Sequence, residues 1–275
     1  MKKALNEIFG LTNKYIVLAT PLILFSLLSS VYLTVTLSGN IIKLLCAISI
    51  FILMSGTFIS GWFYMVKGAV TETQTNDPNM LIKDFPAGVG EYLLPSLGLM
   101  FNASVFIFAM LACGYFFGLK TIGDPNISGA SFAKALEGSE ALQRFMESLS
   151  TQQLVQLQHW NVLLLGIMML CYFLLILYIP ALFFKEKNPF KAVLVSLKDL
   201  FNNNFFKTLG IYLLIFVTNF LLSIVAALTG KSIILNFVTT LINFYYLILV
   251  AVGVFYYYYH NFTEQKLGQN IDLKI

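Results

Sequence analysis

The feature that most constrains this chain is the length of its apolar runs. Several stretches hold about twenty or more residues with almost no charge, the length a helix rising 1.5 Å per residue needs to cross roughly 30 Å of hydrocarbon. Hydrocarbon offers no partner to backbone N–H and C=O groups, so a run of this kind must be a helix, which satisfies them internally. The expected fold class is therefore all-α, a polytopic transmembrane helical bundle. Composition agrees: 58% of residues are apolar and 11% charged, where soluble domains carry about a quarter charged residues.

Hydropathy places six spans, over Tyr15–Leu37, Ile41–Val66, Tyr92–Leu119, Asn161–Phe184, Thr208–Thr229 and Ile233–Tyr259, in a single integral membrane domain covering residues 1–275. Only Ser38-Gly39-Asn40 separates the first two spans, and only Gly230-Lys231-Ser232 the last two, so each pair is expected to be a tight antiparallel hairpin. Met1-Lys2-Lys3 has the charged head of a signal peptide. The apolar stretch behind it starts late, runs long and ends without a small-x-small site, so an uncleaved span is expected.

Charge sets the orientation. With the amino terminus in the cytoplasm, the inner segments hold Lys2, Lys3, Lys14, Lys67, Lys83, Lys185, Lys187, Lys191, Lys198, Lys207, Lys266 and Lys274. The outer ones hold Lys43, Lys120, Lys134, Arg144 and Lys231, a bias of twelve against five that puts both termini inside. Arg144 is the only arginine, and the lysines flank spans, which speaks for membrane orientation and against nucleic acid as a partner. Trp62, Tyr64, Trp160 and Tyr256 to Tyr259 mark span ends as an aromatic belt would.

Two segments outside the spans are amphipathic. In the cytoplasmic stretch 188–206, Asn188 followed by Pro189 reads as a helix N-cap with proline at the first helical position. Phe190, Val193, Leu194, Leu197 and Phe201 then recur at helical spacing, while Lys191 and Lys198 lie largely off that stripe. Such a helix is expected to lie in the membrane interface as an elbow, its stripe on acyl chains and its lysines on headgroups. Similar residues precede the first span (Leu5, Glu7, Phe9, Lys14) and the third (Ile82, Asp84, Phe85, Glu91), which hints at three elbow-plus-hairpin units. The outer segment 121–159 carries Phe132, Ala135, Leu136, Leu142, Phe145, Met146 and Leu149 at helical spacing, and Ser150 with Gln153 forms a capping box.

Catalytic groups are hard to find. No Asp, Glu or Arg falls inside a predicted span, which disfavours proton relays and charge-coupled pumping. His159 and His260 are expected at opposite interfaces, and Cys46, Cys113 and Cys171 sit within apolar runs with no CxxC pair, so no metal site or cofactor is expected. The intramembrane polar residues Asn102, Asn219, Asn236, Thr239, Thr240 and Asn243 remain. Asn236 and Asn243 are seven apart on one helical face, so these groups read either as interhelical contacts or as the lining of a polar cavity. Gly114 with Gly118, and Gly56 with Ser60, mark faces where helices approach closely, to an internal partner or to another subunit.

The run from Tyr178-Ile-Pro180 through Lys185-Glu-Lys-Asn188-Pro-Phe-Lys-Ala192 to Ser196 and Lys198, then Asn203-Asn-Phe205 and a new span, resembles an arrangement in bacterial six-span membrane proteins. These include the membrane domain attached to some glycerophosphodiester phosphodiesterases and its stand-alone relatives. The resemblance implies a bacterial cytoplasmic membrane and a six-span architecture, and it brings no catalytic residue. The expected role is that of a non-enzymatic multi-pass protein, an envelope scaffold, regulator or lipid-handling accessory, with membrane lipids and other membrane proteins or further copies of itself as partners. The alternative is a permease or permease subunit for a neutral or amphipathic substrate.

Overall fold

The computed structural model describes residues 2–36, 41–71, 80–124, 127–135, 138–202, 204–229 and 232–263. Among the described residues eleven α-helices run in chain order: α1 (Lys2–Lys14), α2 (Ala19–Thr36), α3 (Ile41–Thr71), α4 (Met80–Thr121), α5 (Gly129–Ala135), α6 (Ser139–Ser148), α7 (Thr151–Leu175), α8 (Tyr178–Phe184), α9 (Pro189–Phe201), α10 (Phe205–Thr229) and α11 (Ile233–Tyr258). A 3₁₀ turn, Ile16–Leu18, joins α1 to α2, and no strand occurs among the described residues. Five stretches are long and apolar enough to cross a membrane: Leu45–Thr71, Met80–Thr121, Thr151–Phe184, Phe205–Thr229 and Ile233–Thr263. A sixth exists if Lys3–Lys14 and Ile16–Tyr32, bent by 67°, make one broken span. The chain is a multi-pass helical membrane protein. Its Ser38-Gly39-Asn40 turn and the Gly230-Lys231 part of the last hairpin lie outside the described residues.

The chain divides into two compact units, Met1–Asn102 with Leu174–Ile275, and Ala103–Phe173. In the first, α1 is a separate helix before the bend at Tyr15, as the sequence suggests. It is tied along α11: the Tyr245 hydroxyl donates to Asn13 Oδ1 at 2.7 Å and the Tyr256 hydroxyl to a Glu7 carboxylate oxygen. Trp62 Nε1 donates to the Leu18 carbonyl at the bend, 2.9 Å away, and the ring stacks on Phe58. Trp62 is thus a buried anchor for the bend, beyond the belt role its position suggests.

The expected elbow before the third span is absent. Residues 80–91 are the first turns of α4, which runs unbroken for 42 residues, roughly 63 Å at 1.5 Å per residue. Pro86 and Pro95 lie inside it. Packing explains the continuity, because α3 and α4 approach closely at a glycine on each. A Cβ on Gly88 would come within 2.8 Å of the Ser60 carbonyl oxygen and 2.4 Å of Tyr64 Cβ, and one on Gly56 within 2.6 Å of Leu97. The small residues at Gly56 and Ser60 therefore serve an internal interface. Between α7 and α8 the helix breaks at Ile176-Leu177, where Pro180 has no N–H for the carbonyl four residues back. Regular bonding resumes with Ala181 N donating to Leu177 O at 3.0 Å.

In the second unit, the Gly114 and Gly118 face of α4 receives α7. A Cβ on Gly114 would meet Ile167 Cδ1 at 2.0 Å, and one on Gly118 would meet Trp160 Cη2 at 2.3 Å. Trp160 Nε1 donates to Gly123 O at 3.1 Å, and Gly123 has a φ of +89°, a conformation open to glycine. The capping box of α7 forms as expected, Gln153 N donating to Ser150 Oγ at 3.3 Å and Ser150 N to Gln153 Oε1 at 3.0 Å.

Candidate functional site

The charged and polar groups of the first unit gather where α3 ends, α8 meets α9 and α11 closes. What positions them is the turn into α9. Asn188 Oδ1 accepts from Phe190 N at 3.0 Å and Lys191 N at 3.4 Å, the cap the sequence predicts. Pro189 at the first helical position rests on Gly98 of α4, where a Cβ would lie 2.5 Å from Pro189 Cγ. Alongside, Asn102 Nδ2 donates to the Tyr178 hydroxyl at 3.2 Å, and that hydroxyl donates to the Pro189 carbonyl at 3.0 Å. A glycine, an amide and a phenol thus seat the start of α9 against α4.

Seating the start of α9 fixes which face turns inward. Ala192, Ser196, Asp199 and Leu200 are buried, at the i, i+4, i+7, i+8 spacing of one helical face. Asp199 accepts through one carboxylate oxygen from Lys185 Nζ at 2.6 Å and from the Tyr258 hydroxyl at 2.6 Å. The Asp199 and Lys185 side chains are only 11% and 15% exposed. The Lys185 ammonium also lies 5.2 Å from the Tyr258 ring centroid and 5.4 Å from that of Phe262. A buried charge costs several kcal/mol unless paired and hydrogen-bonded, and here three groups on α9, α11 and the end of α8 satisfy one another. The arrangement can hold these elements in one register.

A second group adjoins α4. Lys187 Nζ pairs with Glu91 Oε1 at 2.5 Å and lies 5.4 Å from the Tyr92 ring centroid. Tyr92 is buried, stacks on Phe183 at 4.4 Å between centroids, and donates to the Phe183 carbonyl at 3.4 Å. Lys67 Nζ approaches the Tyr92 hydroxyl at 3.5 Å and stands within 6.0 Å of the rings of Tyr64, Tyr92 and Phe184. Among the described residues no group of three His, Cys, Asp or Glu side chains could hold a metal ion.

Comparison with protein-family models, curated proteins and solved structures gave no match. The reading of the site therefore rests on its own chemistry.

The residues singled out from the sequence scatter. Asn102 joins Tyr178 and Pro189. Thr239 is buried in the last hairpin, its hydroxyl 3.1 Å from that of Thr229 and bonded to the Leu235 carbonyl at 2.8 Å. Thr240 donates to the Asn236 carbonyl one turn back on the exposed side of α11. Asn219 and Asn236 are exposed and Asn243 is half-buried, and among the described residues no hydrogen bond joins their side chains. On α9, Phe190, Leu194 and Phe201 are 62%, 68% and 63% exposed. Val193 and Leu197 are half-buried, and Lys191 and Lys198 are exposed. What the sequence reading missed is the Lys185, Asp199 and Tyr258 triad. Its signal was the second stripe of α9, in which an acid follows Ala192 and Ser196 on the side away from the large apolar residues.

Proposed function

We propose that this protein is a non-enzymatic component of a bacterial cytoplasmic membrane that acts by contact, with lipid and with other membrane proteins, and keeps both termini on the cytoplasmic side. The observation that carries this reading is the divergence of its intramembrane amides. A permease for a neutral solute needs convergent polar groups along one path. Here Asn102 is consumed in seating α9, Thr239 in closing the last hairpin, and Asn219 and Asn236 stand on outer helix surfaces. Polar groups of the first two kinds act as glue between helices. The exposed stripe of Phe190, Leu194 and Phe201 suits contact with acyl chains. The inside orientation rests on the lysines at the end that carries Lys67, Lys185, Lys187, Lys191 and Lys198.

The test is a thermal-shift screen of the purified protein against neutral solutes, with wild type and Asn243→Leu side by side. The contact reading expects no saturable stabilisation by any solute. A solute that stabilises wild type saturably and leaves Asn243→Leu unmoved, with equal melting in its absence, would establish the permease reading instead.

A further inference from the structure

We infer that Lys67 is the centre of a binding site for a phosphate ester, its cage formed by Tyr64, Tyr92 and Phe184 at the end of the bundle that gathers the lysines. The inference stands on geometry and charge alone and is independent of the contact role proposed above.

Three ammonium groups occupy this end of the first unit, and they are not equivalent. Lys185 has Asp199 at 2.6 Å, and Lys187 has Glu91 at 2.5 Å. Lys67 forms no ion pair among the described residues. Its one hydrogen bond there is to the Tyr92 hydroxyl, at the long distance of 3.5 Å. A lysine ammonium has three N–H donors, so Lys67 has donating capacity to spare. Three rings stand around it, with centroids at 5.7 Å for Tyr64, 5.7 Å for Tyr92 and 6.0 Å for Phe184, and the Glu91 and Lys187 pair lies near enough to act on its charge. Aromatic faces attract a cation but accept no full hydrogen bond, and they displace the water that would otherwise solvate it. Lys67 is half-buried, so the cage is partly shut and partly open.

The charges fix the class of ligand. The charges that act on Lys67 are those of Glu91 and Lys187, which pair with each other at 2.5 Å and offset one another, so the positive charge of Lys67 is the local surplus. A singly charged anion with several acceptor oxygens balances the charge and takes up the idle N–H groups, and a phosphodiester has that form. A dianion would leave excess negative charge beside Glu91, and a neutral ligand would leave Lys67 as it is. Tyr92 and Phe184 also offer an apolar wall beside the ammonium, which suits a phosphate carrying an organic substituent. An anionic phospholipid headgroup and a soluble phosphate ester share this chemistry.

The experiment uses the whole chain in neutral detergent and native mass spectrometry, with phosphatidylglycerol as the probe and glycerophosphoglycerol, its deacylated phosphodiester, as the soluble counterpart. Wild type is expected to retain one phosphatidylglycerol. Lys67→Gln should weaken retention about tenfold or more, the effect of losing one charge-assisted contact. Lys67→Arg should keep most of it, and Lys198→Gln, an exposed lysine of the same end, should leave it unchanged. Glu91→Gln releases Lys187 and should strengthen retention, which tests the site even if Lys67→Gln does not fold. Displacement of the lipid by millimolar glycerophosphoglycerol would support the site with a soluble phosphodiester as its occupant. Equal losses in Lys67→Gln and Lys198→Gln, or weaker retention in Glu91→Gln, would overturn the inference.

Discussion

Replacing Asp199 by Leu removes the acceptor that Lys185 and Tyr258 share. With the lysine side chain 15% exposed and the aspartate 11%, neither is well placed to recover its solvation. Breaking one partner of a buried pair costs about 3 to 5 kcal/mol, because the remaining charge stays buried and uncompensated. The Tyr258 hydroxyl, on a fully buried residue, loses an acceptor as well. Lys185→Met should cost a similar amount by leaving Asp199 charged with only the Tyr258 hydroxyl. The double variant leaves no unpaired charge, and replacing a whole buried pair by apolar side chains is close to neutral, so its main cost is the unmet Tyr258 hydroxyl, about 1 to 3 kcal/mol. It should therefore lie about 3 kcal/mol or more above the sum of the two singles, a coupling typical of residues in one network. Reversible unfolding in mixed detergent micelles, followed by the fluorescence of Trp62 and Trp160, measures all three, with Lys198→Met as the exposed control. If Asp199→Leu costs no more than that control, or the double variant costs the sum of the singles, the triad does not hold the helices and the reasoning fails.

Gly118→Leu drives a side chain into Trp160, and the resulting strain should cost about 1 to 3 kcal/mol, while Gly166→Ala, with nothing within 4 Å, should be nearly neutral; melting of both variants in detergent checks this. Asn188→Ala removes the cap of α9 and should lower stability by about 1 kcal/mol in the same assay. A peptide covering Asn188 to Lys207 should become helical on anionic vesicles and release at high salt, read by circular dichroism and sedimentation. A peptide that stays unstructured there would count against the interfacial role of the exposed stripe.

The helical character of the chain was legible because twenty-residue apolar runs admit no other backbone in hydrocarbon. Local signals carried as well: the Asn188 cap and the Ser150 and Gln153 box depend on neighbours within one turn, while the spacing of Gly114 and Gly118 marked a face of close approach without naming α7 as the helix it meets. The unbroken α4 was not legible. An amphipathic stretch before a span looks the same whether it lies flat or continues upward, and the contact of Gly88 with Tyr64 that decides it joins residues far apart in sequence. The Asp199 triad was hidden for the same reason. Lys185, Asp199 and Tyr258 sit in three different segments, and each alone reads as an ordinary interfacial residue. The amides were legible only as polar groups in apolar runs, since spacing on one helix face says nothing about what that face meets.

The proposed orientation puts the lysine-rich segments of this multi-pass protein on the cytoplasmic side and the segment 121–159 on the other. Single cysteines at Lys191 on α9 and at Gln143 on α6, both exposed, test it in a background with Cys46, Cys113 and Cys171 replaced. In sealed right-side-out vesicles, a membrane-impermeant maleimide should label Gln143→Cys and reach Lys191→Cys only after the membrane is opened. Labelling of both positions in sealed vesicles would contradict the account.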